Sequence, residues 1–212
     1  MKRLIGFVAV LVAASSMAVS TMATVVYDNT TNYLAQYFGS TNEFGDQIRL
    51  IDGIERLVTQ FKFEYWTSHG ISGDEKLQVK LYDNTGIEGS PGNVLYDSGQ
   101  FSIKSGYNTV TLDGLDVNVP DSFTWTVQFT GVQLNEDMGL LLYDPPTVGS
   151  SYNDFWEKAG GVWGTKTLPE TVANFSAKVT AVVPEPTVIQ YGLLAGITGL
   201  IAFLRRKFSS KH

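Results

Sequence analysis

The chain has 212 residues, which is enough for one domain with flanking segments, and it carries 15 Lys and Arg against 21 Asp and Glu. Its hydrophobic content of 43% supports a packed core and argues against wholesale disorder. The lack of Cys excludes disulfide scaffolds and thiol nucleophiles, and a total of two His disfavours most metalloenzymes and Ser/His hydrolases.

The N-terminus predicts a secretory signal peptide over residues 1–23. Lys2 and Arg3 precede an apolar run at Leu4–Ala14, and small and polar residues follow that run. The run is shorter than the roughly 20 residues that a transmembrane helix needs, which disfavours the alternative of a retained N-terminal anchor.

Signal peptidases need small side chains just before the bond that they cut. Thr21-Met22-Ala23 meets this requirement and predicts cleavage between Ala23 and Thr24. Ser16-Met17-Ala18 is an alternative cleavage site. In either case the sequence predicts that the chain is exported.

Residues 24–183 predict an exported all-β domain. Apolar and polar side chains alternate with period 2 at Phe61–Trp66, Leu77–Tyr82 and Phe123–Phe129. Further strands are predicted at Asn93–Phe101, Tyr107–Leu115, Met138–Tyr143 and Phe175–Val182. About eight short strands separated by Gly, Pro, Asn and Asp turns favour an antiparallel, jelly-roll-like β-sandwich.

Two parts of this domain have a less regular pattern or a special composition. Asp46–Leu57 has mixed periodicity, which is compatible with a strand pair or with a short helix. Trp66 and Trp125 lie within alternating strands, and we expect both in the core.

The predicted domain is strongly acidic. Residues 24–183 contain nine Lys and Arg against twenty Asp and Glu, which gives a formal charge of −11. This charge opposes non-specific binding to nucleic acid or anionic lipid, so we expect no nucleic-acid partner. It is compatible with a bound cation or with a neutral glycan.

An aromatic and acidic stretch at 143–163 contains the candidate ligand site, and its composition is typical of a loop. Sugar rings pack their C–H faces on flat aromatic rings, while carboxylates accept hydrogen bonds from sugar hydroxyls. The candidate glycan-binding residues are Tyr152, Asp154, Trp156 and Trp163. The alternative is that Phe155 and Trp156 close one end of the sandwich.

Cofactor and catalytic signals are weak. Asp83, Asn84 and Glu88 offer oxygen atoms of the kind that Ca²⁺ prefers, but an Asx-turn explains Asp83-Asn84 equally well. We therefore expect no cofactor, with Ca²⁺ as the alternative.

His69 lies in a polar turn, and the sequence contains no nucleophile elbow, P-loop or dinucleotide fingerprint. We expect no enzymatic activity. A glycosidase with two carboxylates is the remaining alternative, because sequence does not reveal the separation of two acids.

The C-terminal segment, residues 184–212, combines three features in a fixed order. A proline-bracketed triplet holds the chain extended and exposed: Pro184, Glu185 and Pro186. Val188–Leu204 follows as 17 residues that predict a transmembrane helix. A basic cluster then predicts the cytoplasmic side: Arg205, Arg206 and Lys207. An ordinary tail anchor with a proline-bearing linker is the alternative.

This ordered tail resembles the PEP-CTERM sorting signal of Gram-negative bacteria, with a slightly long extension at Phe208–His212. The resemblance implies that an exosortase-type membrane enzyme cuts near the proline triplet of a protein anchored transiently by its C-terminal helix. It also implies a destination in the cell envelope or extracellular matrix, often a biofilm matrix with exopolysaccharide, and a structural or adhesive role there.

A second resemblance concerns Leu77–Gly99. This segment is similar to the exported β-sandwich domains that often carry such tails, and these resemble carbohydrate-binding sandwiches in outline. The resemblance is at the level of fold, and it makes a carbohydrate-binding module the alternative function.

Overall fold

The computed structural model describes residues 22–68 and 72–184, which form two antiparallel β-sheets with a shared core. The six-stranded sheet contains β1 (Thr24–Asp28), β2 (Tyr33–Phe38), β4 (Leu57–Thr67), β7 (Gly106–Asn118), β9 (Met138–Tyr143) and β13 (Ala177–Val182). The seven-stranded sheet contains β3 (Glu43–Arg49), β5 (Lys76–Tyr82), β6 (Val94–Ser102), β8 (Ser122–Thr130), β10 (Ser150–Ser151), β11 (Phe155–Ala159) and β12 (Val162–Lys166).

The strand order places distant parts of the sequence side by side. In the six-stranded sheet the order is β1-β13-β4-β9-β2, with β7 also paired to β4. In the seven-stranded sheet it is β12-β11-β3-β8-β5-β6, with β10 paired to the end of β3. The β5–β6 connection and the β11–β12 hairpin therefore both belong to the seven-stranded sheet.

The core lies between the inner faces of the two sheets. Phe61 and Phe63 of β4 point inward, and their ring centroids lie 5.2 and 5.7 Å from that of Trp125 on β8 in the other sheet. All three side chains are fully buried. Burial of apolar area on this scale is the main driving force that holds the sheets together.

Several strand predictions are confirmed. The predicted strands at Leu77–Tyr82, Phe123–Phe129 and Met138–Tyr143 lie within β5, β8 and β9. Asp46–Leu57 contains no helix: it begins in β3, runs through an irregular segment and ends where β4 begins. The all-β prediction is therefore correct for the described part of the chain.

Two predictions are wrong. The 143–163 stretch is not a loop, because it contains β10, β11 and the start of β12. Trp66 is not in the core: Phe61, Phe63 and Tyr65 point inward, so the alternation of the strand turns Trp66 outward, where it is half-buried. The expectation for Trp125 is confirmed.

Some predictions concern residues outside the described ranges. They are the signal peptide up to residue 21, His69, Glu185, Pro186, the 188–204 span and the basic cluster at 205–207. Among residues 22–68 and 72–184, no helix is long and apolar enough to cross a membrane.

Candidate functional site

A cleft of about 890 Å³ opens on the outer face of the seven-stranded sheet. One wall is the segment from β10 to β12, and it contributes all four predicted residues: Tyr152, Asp154, Trp156 and Trp163. The opposite wall is the 83–93 loop between β5 and β6, through Gly86, Ile87, Glu88, Ser90 and Pro91. Gln47 of β3 lies between the two walls.

The β11–β12 hairpin positions the two tryptophans. Its two-residue turn consists of Gly160 and Gly161, which adopt φ values of +59° and +86°. Two positive φ values in succession match the twist of an antiparallel pair and favour glycine at both positions. The hairpin pairs through β11 with β3, so the sheet holds the tryptophan-bearing wall in place.

Trp156 points outward from β11, whereas its neighbour Phe155 is buried in the core. The Trp156 Nε1 atom donates a hydrogen bond of 3.2 Å to Oε1 of Gln47, and Nε2 of Gln47 donates to Ser122 Oγ at 3.3 Å. The indole orientation is therefore set before any ligand arrives. Phe155 is buried in the core, whereas Trp156 lines the cleft.

Trp163 is held by contacts on two sides. Its ring makes an edge-to-face contact with Tyr82, at a centroid distance of 5.6 Å, and the ammonium group of Lys158 lies 5.2 Å from the ring centroid. Both arrangements are attractive interactions of the aromatic quadrupole. Tyr82 is 3% exposed, so Trp163 packs against a side chain that is itself held in place by burial.

Below Trp163 lies Glu43, a residue that the sequence did not single out. Its carboxylate accepts hydrogen bonds from Tyr82 Oη at 2.7 Å and from Thr126 Oγ1 at 2.8 Å. The ammonium groups of Lys80 and Lys158 lie 3.6 and 4.0 Å from its Oε2 atom. Burial and the neighbouring Glu43 carboxylate raise the pKa of Tyr82 far above its usual range, so Tyr82 stays a donor.

The opposite wall is ordered by an Asx-turn. Oδ1 of Asp83 accepts hydrogen bonds from Thr85 Oγ1 at 2.6 Å and from the Asn93 backbone N–H at 2.8 Å. Hydrogen bonds from the Thr85 and Asn93 side chains lower the pKa of Asp83 to about 2. Oδ1 of Asn84 accepts from Thr124 Oγ1 at 2.8 Å. The Asp83 and Asn84 oxygens proposed for Ca²⁺ thus already accept hydrogen bonds, which favours the turn interpretation for these two residues.

In the described ranges, no group of three or more His, Asp or Glu side chains is arranged to hold a metal ion. Ca²⁺ binding by Asp83, Asn84 and Glu88 stays an untested alternative. Glu88 lies on the cleft wall in a single turn of 3₁₀ helix, Ile87–Gly89, with a φ of +55°.

At the ends of the described domain, Ala23 is exposed and Thr24 begins β1, where it pairs with Ala181 of β13. Pro184 is the last described residue. The predicted cleavage site and the predicted sorting triplet therefore adjoin neighbouring strands of the same sheet.

Comparisons with protein-family models, with curated proteins and with solved structures found no match for this chain.

Proposed function

We propose that this chain is an exported protein of a Gram-negative cell envelope or extracellular matrix, with a jelly-roll-like β-sandwich that binds a neutral glycan in the cleft. The protein has a structural or adhesive role, and it acts by binding rather than by catalysis. The observation that carries the binding proposal is the convergence of Tyr152, Asp154, Trp156 and Trp163 in one cleft.

The cleft offers the two kinds of contact that a sugar needs. The indole rings provide flat apolar surfaces, and Asp154, Glu88 and Gln47 provide groups that pair with hydroxyls. Because Gln47 fixes Trp156 and Tyr82 fixes Trp163, little side-chain freedom is lost on binding. The formal charge of −11 favours an uncharged glycan over an anionic one.

The binding test is an array of immobilised neutral oligosaccharides probed with the natively produced mature protein. We expect Trp156→Ala to weaken binding at least about tenfold, since it removes about 1.5 kcal/mol of ring stacking. Trp156→Phe keeps a ring but loses the bond to Gln47, so we expect an intermediate loss.

The matched control is Leu134→Ala, which removes a side chain that is 98% exposed and does not line the cleft. Urea unfolding of each variant reports whether the fold is intact. Equal binding by Trp156→Ala and the parent, with both folded, contradicts a glycan site in the cleft.

The sorting proposal is supported by the resemblance of residues 184–212 to the PEP-CTERM signal. In this proposal an exosortase-type enzyme acts on Pro184, Glu185 and Pro186 while the 188–204 helix and the basic cluster at 205–207 hold the chain in the membrane.

We expect Glu185→Ala, or deletion of residues 205–207, to block maturation and to leave a cell-associated precursor. The intact mass of the protein from cells and from medium measures this, and in the parent it also reports cleavage after Ala23. Identical processing of parent and variants rejects the sorting assignment in favour of a simple tail anchor.

A further inference from the structure

The outer face of the six-stranded sheet carries an aromatic band that the proposed cleft does not use. Five rings from strands β2, β4, β7 and β9 form it: Tyr33, Tyr37, Trp66, Tyr107 and Tyr143. Three of them are openly accessible, with exposed fractions of 41% for Tyr33, 38% for Tyr37 and 68% for Tyr107.

The rings pack against one another in two groups on this face, one of Tyr37, Trp66 and Tyr107 and one of Tyr33 and Tyr143. The ring centroids of Tyr37 and Trp66 lie 4.6 Å apart, those of Trp66 and Tyr107 6.4 Å apart, and Tyr33 lies 5.1 Å from Tyr143. Trp66 is paired across the strands with Gly139 of β9. A Cβ on Gly139 would lie 2.3 Å from the Phe38 carbonyl oxygen, so the close strand approach itself requires glycine.

Carboxylates are set among the rings. The hydroxyl of Tyr143 donates to Oε2 of Glu64 at 2.5 Å, and the hydroxyl of Tyr37 donates to Asp137. The hydrogen bond to Asp137, followed by burial, raises the pKa of Tyr37 to about 12. The Tyr37 and Tyr143 hydroxyls are thus fixed, and each carboxylate keeps lone pairs that can accept further hydrogen bonds.

The combination of aromatic rings and carboxylates limits the class of ligand that the band can bind. A protein interface core is depleted of charged residues, and covering Glu64 and Asp137 with an apolar partner would bury two carboxylates without a cation. Anionic lipids and anionic polymers are repelled by the acidic domain. A neutral polysaccharide avoids both the burial of unpaired carboxylates and the repulsion of an anionic ligand. Its C–H faces cover the rings, and its hydroxyls donate hydrogen bonds to the carboxylates.

We propose that the aromatic band is a second glycan-binding surface, which takes an extended neutral polysaccharide chain. The band lies on the sheet opposite to the cleft. The band and the cleft together make the domain bivalent, so that one molecule can bridge two polysaccharide chains. This bivalency rests on the proposed function of the cleft. Bridging raises apparent affinity for a polymer through effective concentration, without any new contact.

The test uses the mature protein with three probes: insoluble cellulose, insoluble chitin and a soluble β-1,3-glucan. Tyr107→Ala and Trp66→Ala remove rings of the band, Trp156→Ala removes a ring of the cleft, and Leu134→Ala is the exposed control. We expect each band variant to bind at least one probe about tenfold more weakly than the control, and Tyr107→Phe to retain binding.

Bridging is measured separately, as turbidity when protein is added to the soluble glucan. The parent is expected to precipitate a glucan that it binds, whereas Tyr107→Ala and Trp156→Ala are each expected to bind it without precipitating it. The double variant, with both Tyr107→Ala and Trp156→Ala, is expected neither to bind the glucan nor to precipitate it.

The outcomes separate this inference from the proposed function. Loss of binding in the band variants with none in Trp156→Ala supports the band and contradicts the cleft. Loss in Trp156→Ala with unchanged binding by Tyr107→Ala and Trp66→Ala overturns the band and leaves the cleft. A band variant that changes the sedimentation mass of the protein without changing glycan binding also overturns it, because the face is then a contact between copies.

Discussion

The two outward faces of this domain use aromatic rings in different ways. On the seven-stranded sheet, Trp156 is hydrogen-bonded to Gln47. Trp163 packs on Tyr82 and Lys158, which both contact Glu43, a carboxylate that is 6% exposed. On the six-stranded sheet the rings contact one another, and Tyr107 is 68% exposed. Under the proposed function, this difference teaches that rings fixed in a cleft would select a ligand by shape, whereas an open band would select it by length and flatness.

The sharpest way to probe this contrast is to remove one carboxylate from each face. Glu43→Ala leaves Tyr82 Oη and Thr126 Oγ1 without an acceptor and Lys80 without its nearest carboxylate. We expect a loss of about 3 kcal/mol in the free energy of unfolding, as for a broken buried pair.

Glu64→Ala is the matched change on the other face. Glu64 is half-buried and accepts one hydrogen bond, from Tyr143, so we expect a loss of about 1 kcal/mol. Urea unfolding of both variants measures the difference. Equal losses in the free energy of unfolding would contradict the view that side chains are held more firmly at the cleft than at the aromatic band.

A pH-dependent effect is expected from the core that the two faces share. Asp46 of β3 points inward beside Trp125, is fully buried and accepts a hydrogen bond of 2.7 Å from Ser151 Oγ. Burial raises the pKa of Asp46 well above its ordinary value. The folded state therefore holds its proton more tightly than the unfolded state does.

The sign of the pH effect follows from this. The contribution of Asp46 is fully present below the unfolded pKa of about 3.9 and is lost as pH rises toward the folded pKa, at about 1.4 kcal/mol for each pH unit. Asp46→Asn cannot ionise, so we expect its stability relative to the parent to increase from pH 4 to pH 7. The difference in Tm between variant and parent measures this and cancels the opposite contribution of carboxylates such as Asp28. A Tm difference that is constant with pH would show that Asp46 does not titrate in this range. A change in glycan binding by Asp46→Asn would show that the two faces are coupled through the core.

Strands in which apolar and polar residues alternate were predictable from sequence. In Phe123–Phe129 every second residue is apolar and fully or almost fully buried, so alternation alone identifies β8. The β11–β12 hairpin was also within reach, because Gly160-Gly161 between two aromatic-rich runs is a two-residue hairpin signal.

The position of Glu43, the opposite wall of the cleft and the aromatic band all depend on strand pairing, which sequence alone does not give. Glu43 meets Tyr82 and Thr126, which are 39 and 83 positions away in the chain. The aromatic band likewise joins residues of four strands through pairings such as Trp66 with Tyr107. The four residues of the cleft were predicted together because they lie within one short segment, whereas its opposite wall was seen only as a separate turn.

The pairing of Thr24 with Ala181 has a consequence for how the domain is presented. Both links to the flanking segments leave from a single corner of the six-stranded sheet, at its β1 edge. Under the proposed sorting, attachment at this corner leaves the outer faces of both sheets free of the linking segments.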